Sequence, residues 1–94
     1  STLVYKDADT AARFIDQLSN VYRYLLYNQD QKLIRLKEEL DFIESYLYLL
    51  KIRFQENLRV INEIPEEKKE TYIAPATLQL LIENAIKHNV VSKK

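Results

Sequence analysis

Leu36 to Phe54 reads Leu-Lys-Glu-Glu-Leu-Asp-Phe-Ile-Glu-Ser-Tyr-Leu-Tyr-Leu-Leu-Lys-Ile-Arg-Phe. Leu36, Leu40, Ile43, Leu47, Leu50 and Phe54 recur at alternating spacings of four and three, the seam of a helix that lies against another helix. Glu38 and Glu39 fall in its first turn, where the helix dipole favours carboxylates. Upstream, Ala8, Ala11, Ile15, Leu18, Tyr22 and Leu25 carry a second seam, widened by Ala12, Phe14, Val21 and Leu26. Asp7 and Asp9 are read as its N-cap residues. Ser1 to Lys6 then reads as the end of an incoming helix or a frayed terminus. The polar run Asn28 to Lys32 ends this helix. Two helices of roughly 20 residues, each about 30 Å long, joined by a short polar loop, predict an antiparallel hairpin. Such a hairpin has one buried face and too little mass to bury the rest. Dimerisation into a four-helix bundle would cover it.

Beyond Phe54 the period changes. Leu58, Val60, Asn62 and Ile64 alternate with Arg59, Ile61 and Glu63, which predicts a strand. Pro65 stops it, Glu66 to Glu70 makes a charged turn, and Thr71 to Ala74 a short extended piece. Pro75 suits the first turn of a last helix, Leu78 to Asn89, with Asn89 as its left-handed C-cap. Leu78, Leu81, Ile82, Ala85 and Ile86 form the apolar stripe of that helix. Asn84, Lys87 and His88 form a second stripe at i, i+3, i+4. The boundary near Phe54 to Leu58 divides the chain into a helical hairpin, 1–56, and the start of an α/β piece, 57–94.

Composition narrows the function. The 94 residues make at most one small domain, 47% hydrophobic and 30% charged. Fourteen basic and fourteen acidic side chains cancel, without the basic excess of a nucleic-acid binder. No apolar run approaches the roughly 20 residues that span a bilayer, so direct membrane contact is not expected. Cysteine is absent, which excludes thiolate catalysis and Cys-ligated zinc. Glycine is absent too, so there is no P-loop, dinucleotide fingerprint or Gly-rich lid. A nucleotide site would not be complete in this chain, and the abrupt ends read as those of an excised piece.

An amide, an ammonium and an imidazole on one helical stripe suit an anionic ligand carrying a hard cation. The wording sharpens this. Leu78-Gln79-x-Leu81-Ile82-Glu83-Asn84-Ala85-Ile86-Lys87-His88 resembles the N-box that opens the ATP-binding domain of bacterial sensor histidine kinases. It is most similar to the subclass paired with LytTR-type response regulators. Leu18-Ser19-Asn20-Val21-Tyr22-Arg23-Tyr24 and the stretch from Tyr46-Leu47 to Arg53-Phe54 are similar to segments that precede the N-box there, in the same order. Leu80 stands where that subclass usually has Pro, and Asn89 where it usually has Gly.

The resemblance implies a mainly α fold: half of a dimeric four-helix bundle, then a short strand and the N-box helix of a truncated α+β ATP-binding domain. It implies a protein-histidine kinase that autophosphorylates from Mg-ATP and passes the phosphate to a response regulator. Asn84 would coordinate the Mg²⁺ that bridges the phosphates, Lys87 would contact phosphate, and His88 would line the same pocket. Glu83 would lie near the metal or its waters. The phospho-accepting His is expected upstream of Ser1, and the Gly-rich boxes beyond Lys94, so the segment alone is expected to be inactive. It also implies a cytoplasmic segment of a membrane-anchored protein.

Simpler readings stand beside these. A His at a helix end interacts well with the dipole, and Glu83 and Lys87 are spaced as a solvated i, i+4 ion pair. Tyr22, Tyr24, Tyr27, Tyr46 and Tyr48 read as bundle packing, and Arg23 and Arg53 as interhelical pairing partners. The alternative function is a non-catalytic helical interaction module or a degenerate kinase-like regulator.

Overall fold

A computed structural model describes the backbone of residues 2–92 and the side chains of residues 7–89. Helix α1 spans Thr2–Asn28, and helix α2 spans Leu36–Phe54. Because α1 already begins at Thr2, Asp7 and Asp9 lie inside it and do not cap it. The polar loop follows as expected, with the Asn28 side chain bonding back to the Tyr24 carbonyl at 2.9 Å. As α1 advances from Asn20 to Tyr24, its partners on α2 retreat from Ser45 to Phe42 and Glu39, so the pair is antiparallel. Val21, Phe42, Ile43 and Tyr46 form the buried core, with Tyr24 stacked on Phe42 at 4.2 Å between ring centroids.

The two seams do not meet as expected. The hairpin contact is built by Val21, Tyr24 and Phe42, with Asn20 bonded to Ser45. Of the α1 seam, Leu25 packs against the core, whereas the rest points elsewhere: Ile15 is 62% exposed, Leu18 45% and Tyr22 65%. On α2 the seam residues Leu40, Ile43 and Leu47 line a groove shared with residues 60–64, Leu78 and Ile82. The helix is buried on more than one side, so a single heptad seam understates it.

The expected strand over Leu58 to Ile64 does not form. That stretch is irregular, and among the described residues no strand lies beside it to complete a ladder. Residues 60–64 line the α2 groove instead. The short extended piece is real. Tyr72–Ile73, β2, pairs antiparallel with Ile34–Arg35, β1, which leads into α2. The last helix, α3, spans Thr77–Ser92. It passes through Asn89, so Asn89 is not its C-cap. Pro75 precedes α3 in a turn and does not occupy its first turn.

Candidate functional site

The site rests on how α3 begins. Ala74-Pro75-Ala76 offers no Ser, Thr, Asp or Asn to accept the first helical N–H groups. Ala76 also takes φ 66°, which disfavours a residue with a Cβ by about 1–2 kcal/mol. Glu39 on α2 supplies what is missing. Its Oε1 accepts the Ala76 N–H and its Oε2 the Leu78 N–H, both at 2.9 Å. Its Oε1 also accepts the Tyr24 hydroxyl. Glu39 is fully buried, and three donors, two of them at a helix N-terminus, satisfy its charge. The exchange is mutual: the Leu36 and Lys37 N–H groups that open α2 donate to the carbonyls of Thr71 and Lys69, at 2.7 and 2.9 Å.

A second polar contact lies two turns on. The Tyr46 hydroxyl donates to Glu83 Oε2 at 2.8 Å, and Gln79 Nε2 donates to the same oxygen at 3.0 Å. Burial, and then the carboxylate it faces, push the Tyr46 hydroxyl pKa well above tyrosine's usual value; the same two causes raise Tyr24 beside Glu39. Glu83 therefore turns toward the hairpin. Among the described residues it makes no ion pair with Lys87, because the buried Tyr46 hydroxyl needs the acceptor more than the solvated ammonium does.

Asn84, Lys87 and His88 are exposed together on one stripe of α3, and among the described residues their side chains have no hydrogen-bond or ion-pair partner. The apolar stripe is only partly covered: Leu78, Ile82 and Ile86 are half-buried, whereas Leu81 is 58% exposed and Ala85 exposed. Contacts from Glu39 to Leu78 and from Tyr46 to Glu83 run the same way along both helices, so α3 is parallel to α2. Lys87 and Glu83 line a cavity of about 270 Å³ with Tyr46 and Arg53 of α2. Arg53 is not an interhelical ion-pair partner among the described residues; its guanidinium lies 5.0 Å from the centre of the neighbouring Phe54 ring. Arg23 bonds Asn20 within α1.

Among the described residues no group of three His, Cys, Asp or Glu side chains is placed to hold a metal, and no helix is long and apolar enough to cross a membrane. The bonds of Glu39 to the start of α3 and of Tyr46 to Glu83 are not legible in the sequence, which gives Tyr46 only as a packing residue. The one available signal for Glu39 was the capless start of α3, which requires an acceptor from elsewhere.

Comparison with known proteins gives a consistent result. A sequence model described as histidine kinase matches residues 1–58. The chain is 37% identical over 94 residues to Sensor protein LytS of Bacillus cereus, covering 100% of this chain and 16% of that protein. It is 33% identical over 86 residues to Sensor histidine kinase BtsS of Escherichia coli, covering 92% of this chain and 15% of that protein. To Sensor protein LytS of Enterococcus faecalis it is 33% identical over 94 residues, covering 100% of this chain and 16% of the relative. No solved structure matches. A match over more than half the chain, together with these full-span likenesses, means that the chain belongs to the histidine kinase family.

Proposed function

We propose that this chain is part of a sensor histidine kinase that phosphorylates its own histidine from Mg-ATP and passes the phosphate to a response regulator. Residues 1–56 serve as the dimerisation hairpin and residues 57–94 open the ATP-binding domain, within a cytoplasmic part of a membrane-anchored protein. The observation that carries the reading is the stripe of Asn84, Lys87 and His88, exposed and unengaged on a helix whose other side is docked.

The donor set fits the nucleotide. An amide oxygen is a hard ligand, and with no cage of acidic groups among the described residues, Mg²⁺ would take most of its ligands from phosphate and water. Asn84 would hold the ion and Lys87 a phosphate oxygen, with His88 beside them. Glu83 has Oε2 engaged by Tyr46 and Gln79, which leaves Oε1 to face the metal's waters. When bound, the ion neutralises phosphate charge; the chain's share is positioning. The parallel run of α3 along α2 supports this, because Lys87 then lies toward the end of the hairpin where α1 begins. That is the side on which the phospho-accepting His is expected. The exposed α1 seam supports a homodimer through the hairpin.

The test compares the full-length kinase with its Asn84→Ala variant after incubation with Mg-ATP. Acid-labile, base-stable phosphate on the parent and none on the variant is the expected result. No label on either protein would favour a non-catalytic interaction module or regulator.

A further inference from the structure

The cavity between α2 and α3 holds two cations that the N-box reading does not account for together. Lys87 comes from α3, and Arg53 from the C-terminal end of α2, outside the N-box. Both are exposed, and among the described residues neither has a carboxylate partner. One carboxylate, Glu83, lines the same cavity, but its Oε2 already accepts from Tyr46 and Gln79. The cavity therefore carries a surplus of positive charge, and its walls of Leu50, Phe54 and Ile86 exclude part of the solvent that would screen it. The Phe54 ring supports the Arg53 guanidinium and leaves its N–H edge open. A planar fork so held matches two oxygens of a phosphate, whereas Lys87 contributes a point charge.

We infer that Arg53 is a second phosphate-binding residue, gripping the nucleotide's phosphates together with Lys87 from the hairpin side. The inference rests on the nucleotide reading above and extends it to a helix outside the ATP-binding domain. Binding of ATP then ties α2 to α3 at the end opposite Glu39.

The experiment measures binding of Mg-ATP and of adenosine, which lacks phosphate, to the full-length kinase and its Arg53→Gln, Lys87→Gln and double variants. Arg53→Gln is expected to weaken ATP binding about tenfold, the scale of one charge-assisted contact, and to leave adenosine binding unchanged. The double variant is expected to lose less than the product of the two single losses, because both side chains hold one group. ATP affinity of Arg53→Gln within about twofold of the parent overturns the inference. An equal loss of ATP and adenosine also overturns it, by assigning Arg53 to folding. A parent that binds no ATP overturns both this inference and the kinase reading. ATP binding abolished by Asn84→Ala but indifferent to Arg53→Gln overturns only the role of Arg53.

Discussion

Helix α2 meets its two neighbours by different physics. Toward α1 the contact is mainly apolar and aromatic, Val21, Tyr24, Phe42 and Tyr46, with two side-chain hydrogen bonds, Asn20 to Ser45 at 3.4 Å and the Tyr24 hydroxyl to Glu39. Toward α3 it adds two carboxylates with named donors, Glu39 at the start of the helix and Glu83 farther along. Apolar contacts are non-directional and tolerate sliding or rotation, whereas hydrogen bonds to fixed N–H groups set a register. Side-chain bonds alone cross to α1, whereas Glu39 also takes backbone N–H groups at the start of α3, so α3 is the more firmly indexed to α2. On the proposed kinase reading, in which the Asn84 stripe is brought to a phospho-accepting side chain, the indexed contact would be the one that carries geometry.

Removing the index should have the largest effect. Glu39→Ala leaves the Ala76 and Leu78 N–H groups and the Tyr24 hydroxyl without their acceptor, at a partly buried junction beside the core. Stranding buried donors of a charged acceptor costs about 3–5 kcal/mol, less than a plain sum of three bonds because they share one carboxylate. Urea denaturation should report that loss, and hydrogen exchange at Ala76 and Leu78 should accelerate. A loss below about 1 kcal/mol would mean that α3 starts without help from α2 and that the contrast between the two contacts is false.

The apolar side is tested on the face of α1 that α2 leaves bare. Ile15, Leu18, Tyr22 and Leu26 are 45–65% exposed and form one continuous surface. If a second copy covers it, replacing Ile15 and Leu18 together by Asp removes about 3 kcal/mol of apolar burial, on the order of a hundredfold in the dimer dissociation constant. The hairpin itself should keep its stability, because neither residue is buried against α2. Light scattering over a concentration series separates the two outcomes. A parent that is monomeric at tens of micromolar would leave the bare face unexplained by self-association.

These contrasts mark how far the sequence could be read. The two long helices, their polar link and the exposed Asn84 stripe follow from local periodicity, and there the reading was sound. The seam on α1 was correctly seen as apolar, but periodicity cannot say which of two partners covers a face, and Val21 and Tyr24 took the place next to α2. The alternation from Leu58 to Ile64 was real as a pattern, yet a strand is defined by its neighbour, and none of the described residues supplies one. Glu39 was legible only as an acidic residue in a first turn. Its bonds to Ala76 and Leu78 join positions far apart in sequence, and no local rule reaches across that interval.

The smallest effect should come from the exposed member of the two Tyr–Glu pairs. Glu83 is solvent-accessible where Glu39 is not, so Tyr46→Phe strands nothing: Glu83 keeps Gln79 and gains water. The loss should be about 1 kcal/mol at neutral pH, one ordinary hydrogen bond. The pH dependence sharpens the comparison. Burial and then the facing carboxylate raise both Tyr24 and Tyr46, so the folded protein holds these protons more tightly than the unfolded chain, whose tyrosines titrate near about pH 10. Their contribution is complete below that pH and is lost progressively as pH rises above it. The parent should therefore lose stability above about pH 10, and Tyr46→Phe should lose less over the same interval, since only Tyr24 of the pair remains to titrate. Denaturation midpoints measured on both proteins from neutral to alkaline pH decide it. Equal alkaline losses would mean that neither burial nor Glu83 holds the Tyr46 proton, and that the second link between α2 and α3 is looser than the first in kind as well as in degree.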